Sequence, residues 1–331
     1  MKILKTAVVG VGNMGFLHAK IYSEFSGSDL VAVSDSNEKA LKKASDFFDV
    51  KTYSNYEEMF AKEDLDCVSI CTPDREHLGP ALKATEFGVN ILIEKPLAKN
   101  GEEGQLIVDA AQRAGLKLMV GHTLRFDPAH VQAYQAIRDK KIGDIVHIYT
   151  RRNCLISEGK QLVNRTSIIL FLGIHDLDVI RWLTGSEIER VYCEANSVVF
   201  KKEKEQDVFL ALIRFRNGVT ASLETSWILP ESLGRTDMKL SVVGSKGYIN
   251  IDTYDMGFRL YGEDKLTMGD TRWAPVVYGS LRGVLQHEVS DFVNCVIEGR
   301  DPVITGKDGL AALQAVDAII ESSKTHQPVY L

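Results

Sequence analysis

The sequence predicts an α/β protein of two domains, a doubly wound parallel domain over residues 1–121 and an α+β domain over 122–331 built on an open, mostly antiparallel sheet. Three observations carry this expectation. Short β-rich apolar runs alternate with helical patterns up to about residue 121. The run Thr6-Ala7-Val8-Val9 passes directly into Gly10-Val11-Gly12-Asn13-Met14-Gly15. After Gly121 strand-like runs succeed one another with hairpin turns between them.

In the first half, strands are expected at Ala7 to Val9, Leu30 to Val33, Cys67 to Cys71, Asn90 to Ile93 and Leu118 to Val120. Helices are expected at Asn13 to Phe25, Asn37 to Phe47, Pro80 to Phe87 and Gly101 to Ala114, with Asn or Gly starts and Gly88 and Gly115 as stops. The right-handed crossover rule then sets most of the topology. In the second half a helix from about Pro128 to Asp139 precedes a strand over Ile145 to Thr150 and a helical stretch near Leu170 to Leu183. Strands come next at Ile188 to Val199, Val208 to Phe215, Val219 to Trp227, Met238 to Val243 and Tyr248 to Ile251, with Asn217-Gly218 and Ser245-Lys246-Gly247 as turns. Helices from Val284 to Glu298 and Lys307 to Ser323 close the chain. Helices can cover only one face of such a sheet, so the other is expected to meet a second subunit, giving a homodimer or homotetramer.

Composition excludes several classes. A net charge of −6 without a Lys/Arg cluster on a long helix gives no basis for nucleic-acid binding. No apolar run approaches the roughly 20 residues of a membrane helix, and Met1-Lys2-Ile3 lacks the regions of a signal peptide, so a cytoplasmic location without membrane association is expected. The five cysteines form no CxxC pair and no cluster with histidine; they read as structural thiols, and no metal site is expected.

The glycine pattern follows a strand and opens a helix. Gly10 and Gly12 suit a tight turn close to a pyrophosphate, Gly15 suits helix against strand, and the amides at Asn13 and Met14 face the phosphates. Asp35 ends the next strand at the distance expected of a carboxylate that accepts from ribose hydroxyls and repels a 2'-phosphate, or else it caps the following helix. Ser36 and Asn37 follow it, not arginine, so a Rossmann domain that binds NAD in preference to NADP is expected. Thr72-Pro73 forms a loop at the same sheet edge, with His77 near the cofactor's path or acting as a capping or solvent residue. Glu94-Lys95-Pro96 ends an apolar strand and puts Lys95 beyond the carboxyl edge of the sheet, where an ammonium can orient a hydroxyl beside the nicotinamide or simply lie on the surface.

With these motifs stand Arg125-Phe126-Asp127-Pro128, Gly173-Ile174-His175-Asp176-Leu177-Asp178, and Pro302-Val303 with Gly306. In this combination the chain resembles the glucose-fructose oxidoreductase, inositol dehydrogenase and MocA (Gfo/Idh/MocA) family over nearly its whole length. The resemblance implies an NAD(P)-dependent sugar or polyol oxidoreductase with its active site between a nucleotide domain and a mixed second domain. It implies Lys95 as a catalytic residue and His175 as the proton carrier, although a histidine on an apolar helix, taken alone, is more often a packed one. Asp178 either orients the His175 ring or supports the helix. Many members of the family carry an aspartate one helical turn before the histidine; here that position is Phe171.

Substrate contacts are expected from Lys95, His175, Asp178, His122, Arg125 and Asn153, with Glu94 and Lys95 also beside the cofactor. Arg151 and Arg152 either form salt bridges or, should both face the cleft, favour a carboxylated or phosphorylated sugar. Trp227 and Trp273 read as core or interface aromatics. The leading expectation is an NAD-dependent dehydrogenase. Its rivals are a sugar-modifying enzyme that uses bound NAD transiently and a non-catalytic regulator that binds NAD and sugar.

Overall fold

A computed structural model describes residues 2–252, 258–261 and 266–331. The chain divides into two compact units, residues 1–126 with 273–311 and residues 127–272 with 312–331.

The first unit begins with β1 (Leu4–Val9), α1 (Asn13–Glu24), β2 (Ser28–Ser34), α2 (Glu38–Phe48), β3 (Lys51–Tyr53), α3 (Tyr56–Lys62) and β4 (Cys67–Ile70). It continues with α4 (Leu78–Glu86), β5 (Asn90–Glu94), α5 (Gly101–Arg113) and β6 (Leu118–Gly121). Side-chain caps start several of these helices, with Asn37 accepting from the amides of Lys39 and Ala40, Asn55 from Glu57, and Asn100 from Glu103. The strands lie in the order β3-β2-β1-β4-β5-β6, every pair parallel. β4 and β6 are buried throughout because helices cover both faces. The order reverses between β1 and β4, and the loops beyond their carboxyl ends open the crevice where such sheets take ligands.

The second unit begins with α6 (Pro128–Arg138), capped by Asp127, then β7 (Ile145–Leu155), α7 (Ile156–Leu162) and α8 (Ile174–Thr184). Strands β8 (Ile188–Asn196), β9 (Val208–Phe215), β10 (Thr220–Leu229), β11 (Asp237–Gly244) and β12 (Tyr248–Asp252) come next, then the pair β13 (Phe258–Tyr261) and β14 (Leu266–Gly269). The chain returns to the first unit with the short pair β15 (Val276–Val277) and β16 (Ser280–Leu281), and with α9 (Val284–Glu298). It leaves that unit within α10 (Gly306–Thr325) and ends in β17 (Val329–Tyr330).

This return differs from a division at residue 121. Leu285, Val289, Phe292 and Val293 bury the apolar face of α9 in the first unit, where α9 packs on α1. Met119 bridges to Thr305, and Gly309 lies so close to β6 that a Cβ there would stand 2.5 Å from Val120 Cγ2. A 120-residue nucleotide domain therefore borrows part of its cover from the far end of the sequence.

The seven-stranded sheet of the second unit runs β12-β11-β7-β10-β9-β8-β17. Only the central pair β7 and β10 is parallel, so the expected open, mostly antiparallel sheet is present. Along β9, Phe209, Ala211, Ile213 and Phe215 are buried, while Leu210 and Leu212 on the other face are 52% and 63% exposed. α8 covers the buried face. There Arg152 donates from Nε and Nη2 to Asp176 at 2.7 and 3.1 Å, a bidentate pair inside the protein.

Removing one partner leaves the other charge buried without compensation. Arg152→Met is expected to cost about 3 kcal/mol in urea unfolding, and Arg152→Met with Asp176→Leu distinctly less than the sum of the single changes.

Candidate active site

The turn after β1 is shaped by close approach. Gly10 has a φ of +85°, which favours glycine, and a Cβ there would stand 2.7 Å from the Thr72 amide nitrogen. A Cβ on Gly15 would lie 1.8 Å from the Gly10 carbonyl oxygen, so only glycine lets α1 sit against this turn. Gly12 faces open space instead, and no side chain caps the amide end of α1. These features fit a pyrophosphate: an open glycine, uncommitted helix amides and no Cβ in the way. Asp35 accepts from the Val11 amide through Oδ2 and from the Asn37 amide through Oδ1, both at 2.8 Å. It ties the glycine turn to the start of α2, and Asn37, not Asp35, caps that helix. Each oxygen keeps a second lone pair for a ribose hydroxyl.

Two loops away, the end of β5 carries the lysine. Glu94 is 7% exposed; its Oε1 accepts from His18 Nε2 at 3.1 Å, and its Oε2 from the Lys95 amide at 3.2 Å. Burial works against the charge on Glu94, but the His18 hydrogen bond and the fields of His18, Lys95 and His77 prevail and hold it below the usual carboxylate range. The Lys95–Pro96 peptide is cis. His77 is buried, with Nδ1 2.9 Å from the Pro96 carbonyl oxygen and Nε2 2.9 Å from that of Thr72. It braces the Thr72-Pro73 loop against the Lys95 turn, and burial pulls its pKa down despite those carbonyls.

His122 is buried at the end of β6. Arg125, in the short 3₁₀ turn Thr123–Phe126, is buried as well, with Nη2 3.1 Å from Asp308 Oδ1. Burial would raise the Asp308 carboxyl, yet the Arg125 charge and the Thr305 hydrogen bonds hold it low. Arg125 therefore secures the first turn of α10 to the turn after β6.

In the second unit, His175 is the second residue of α8 and is half-buried, while Asp178 is fully buried. A π-helical turn, Ile169–Gly173, leads into α8 and contains Phe171; such insertions are frequent at functional sites. Arg151 and Arg152 point to opposite faces of β7, Arg151 to Asp237 and Arg152 to Asp176. Asn153 shares the Arg151 face and donates from Nδ2 to Glu224 Oε1 at 2.6 Å. That is the face away from α8, so the structure does not bring Asn153 to the side of the sheet that α8 covers. The arrangement also gives no pair of arginines converging on one anion. Trp227 is a core residue, its Nε1 donating to the Gln206 carbonyl, whereas Trp273 is 38% exposed. All five cysteines are free, and burial pushes the Cys154 thiol to about 12.

One group carries no signal in the sequence. His18 of α1, Glu94 of β5 and Glu288 of α9 are all buried and offer donor atoms within 4.8 Å of one another, a geometry that can take a metal ion. They lie 76 and 194 positions apart along the chain, and no spacing rule links them.

Residues 4–122 match the model of an oxidoreductase family with an NAD-binding Rossmann fold, and residues 130–250 match the Gfo/Idh/MocA C-terminal domain. The chain belongs to the Gfo/Idh/MocA oxidoreductase family. Similar proteins include scyllo-inositol 2-dehydrogenase (NAD(+)) of Bacillus subtilis, 27% identical over 99% of this chain and 96% of that one. Another is 2,7-anhydro-N-acetylneuraminate hydratase of Mediterraneibacter gnavus, 26% identical over 97% and 95%. Among solved structures, scyllo-inositol dehydrogenase of Lactobacillus casei with NAD(H) and scyllo-inositol shares the fold, with a TM-score of 0.86, 23% identity and 99% of each chain covered. The first unit of this oxidoreductase is thus an NAD-binding Rossmann domain. Gly10, Gly12, Asn13, Met14 and Gly15 would hold the pyrophosphate and Asp35 the ribose.

Asp35→Ser removes a carboxylate placed to accept from a ribose hydroxyl, together with its negative charge. The Kd for NAD is expected to rise about tenfold, roughly 1.4 kcal/mol, and discrimination against NADP to shrink, as read by nucleotide fluorescence titration.

Proposed function

We propose that this oxidoreductase is an NAD-dependent dehydrogenase acting on a secondary hydroxyl of a sugar or polyol. The observation that carries the reading is the placement of Lys95, presented at the carboxyl edge of the nucleotide sheet from a turn held on both sides by buried groups. The names of the relatives support it, since D-apiose dehydrogenase and three inositol dehydrogenases are among them.

NAD, when bound, accepts the hydride that leaves the carbon bearing the hydroxyl. Lys95 donates a hydrogen bond to the hydroxyl oxygen, orienting it and stabilising negative charge as the proton departs. His175 accepts that proton, and an imidazole suits transfer in either direction near neutral pH. The buried His122, beyond β6, contributes to the substrate's surroundings, and Arg125 acts by holding the turn that follows it. Phe171 supplies no second acid or base.

A second reading is favoured by Phe171 and by the relative named a hydratase: a tightly held NAD would serve as a transient oxidant of the sugar, with no net nicotinamide reduction. The two readings separate in one experiment, absorbance of reduced nicotinamide when NAD is added with a panel of polyols, aldoses, uronates and sugar phosphates. Growth of the band is expected; its absence, with nucleotide released on denaturation, favours the second reading. Lys95→Met is expected to lower turnover by about 10²- to 10⁴-fold with little change in NAD affinity, and unchanged turnover would remove Lys95 from the mechanism.

We further propose a homodimer or homotetramer formed through the open face of the second sheet, and a cytoplasmic location. Leu210 and Leu212 stand exposed on that face beside Tyr149 and Glu224. No helix among the described residues is long and apolar enough to cross a membrane. Leu212→Arg is expected to shift light-scattering mass toward the monomer.

A further inference from the structure

We propose that His18 is a positioning residue for Lys95, acting through Glu94 to fix the backbone from which the lysine ammonium is presented. The inference rests on the dehydrogenase reading only in giving Lys95 a role.

His18 lies on the face of α1 that also carries Gly15, Ala19 and Tyr22, and it is fully buried. A continuous set of hydrogen bonds runs through it. Tyr22 Oη is 2.7 Å from Ser69 Oγ, Ser69 Oγ is 3.0 Å from His18 Nδ1, and His18 Nε2 is 3.1 Å from Glu94 Oε1. The other Glu94 oxygen accepts the amide of Lys95 at 3.2 Å.

The contacts fix the direction of the bond to Glu94. An ionised Glu94 only accepts, so His18 donates to it from Nε2. Ser69 joins His18 Nδ1 to the Tyr22 hydroxyl, and a hydroxyl can donate or accept in either bond. Burial raises the Tyr22 pKa well above its usual value, which keeps that phenol protonated. Glu94 is held low in spite of its burial, the state that the bond from His18 requires.

Packing alone does not call for such a set. An apolar side chain at position 18 would fill the interior without bringing a carboxylate and an imidazole out of water. What the arrangement achieves lies at Lys95, where both peptide neighbours of the lysine are held by a buried histidine. His18 acts through Glu94 before it, and His77 through the Pro96 carbonyl after it. The lysine side chain then starts from a backbone held on both sides. Glu288 of α9, also buried, offers an oxygen within 4.8 Å of the His18 and Glu94 atoms.

The test compares His18→Leu, His18→Gln, Ser69→Ala and Lys95→Met in the full chain. It reads kcat and KM on the hydroxyl substrate found by the nicotinamide panel, NAD affinity, melting temperature, and hydrogen exchange of the Lys95 amide. His18→Leu is expected to lower kcat about 10- to 100-fold, with KM and NAD affinity within about threefold, because misplacing a reacting group by an ångström has costs of this order. The Lys95 amide should exchange faster, His18→Gln should recover part of kcat through its side-chain N–H, and Ser69→Ala should fall between.

Unchanged kcat and exchange in His18→Leu would overturn the proposal, as would a loss of kcat that only tracks melting temperature and NAD affinity. So would a stoichiometric metal in the wild-type protein, measured by elemental analysis and lost in His18→Leu, since the cluster would then be a cation site. Should His18→Leu fail to fold, Ser69→Ala decides, because it leaves the imidazole in place. Full turnover in Lys95→Met would fail the dehydrogenase reading alone, and amide exchange would still judge the network.

Discussion

Helix α1 rests on the turn after β1 at a distance that no side chain at position 15 would permit. That one approach sets most of the geometry at the ligand edge of the first unit. It aims the amide end of α1 over Gly12, where a pyrophosphate can be met by backbone alone. It also lowers the rest of the helix onto the sheet, so that His18 and Tyr22, three and seven residues beyond Gly15, reach Ser69 of β4 and Glu94 of β5. The glycine that lets α1 settle on the turn thus also makes room for the groups that hold the Lys95 turn. A larger residue there would disturb both at once.

Buried charges meet partners where position counts. Arg152 and Asp176 anchor α8 on β7 beside His175, Arg125 and Asp308 anchor α10 beside His122, and Glu94 is met by His18 behind Lys95. Buried pairs of this kind contribute little net stability against well-packed apolar residues, because desolvation offsets most of the attraction. They do impose direction. A bidentate arginine fixes distance and angle together, which apolar packing does not. Their placement beside the residues assigned to chemistry agrees with a need for geometry at those points.

What could be read from sequence was what is local. The glycine turn, Asp35, Thr72-Pro73 and Glu94-Lys95-Pro96 each declare themselves within a few residues of a strand end, and strand order then follows from crossover handedness. Short pieces escaped: β3 has three residues and α3 seven, too few for a periodic signal. The π turn escaped because an added residue leaves the apolar pattern of 168–174 looking like ordinary helix. The return of α9 escaped because nothing in an amphipathic helix names the unit it will cover. For the same reason His18 and Glu288 could not be joined to Glu94, and the orientations of Arg151, Arg152 and Asn153 needed the alternation of β7 to be anchored by Asp176.

Phe171 gains meaning from this contrast. An aspartate one turn before His175 would place a carboxylate where it could steady an imidazolium or take the proton itself. A phenyl ring does neither, so within the dehydrogenase reading the proton has a single acceptor on that helix, and nothing at position 171 binds a second hydroxyl. The neighbouring carboxylates do not substitute for it, since Asp176 is committed to Arg152 and Asp178 is fully buried. Of His175, Asp176 and Asp178, His175 is the half-buried one. Within the dehydrogenase reading, His175 therefore carries the proton without help from a carboxylate at position 171.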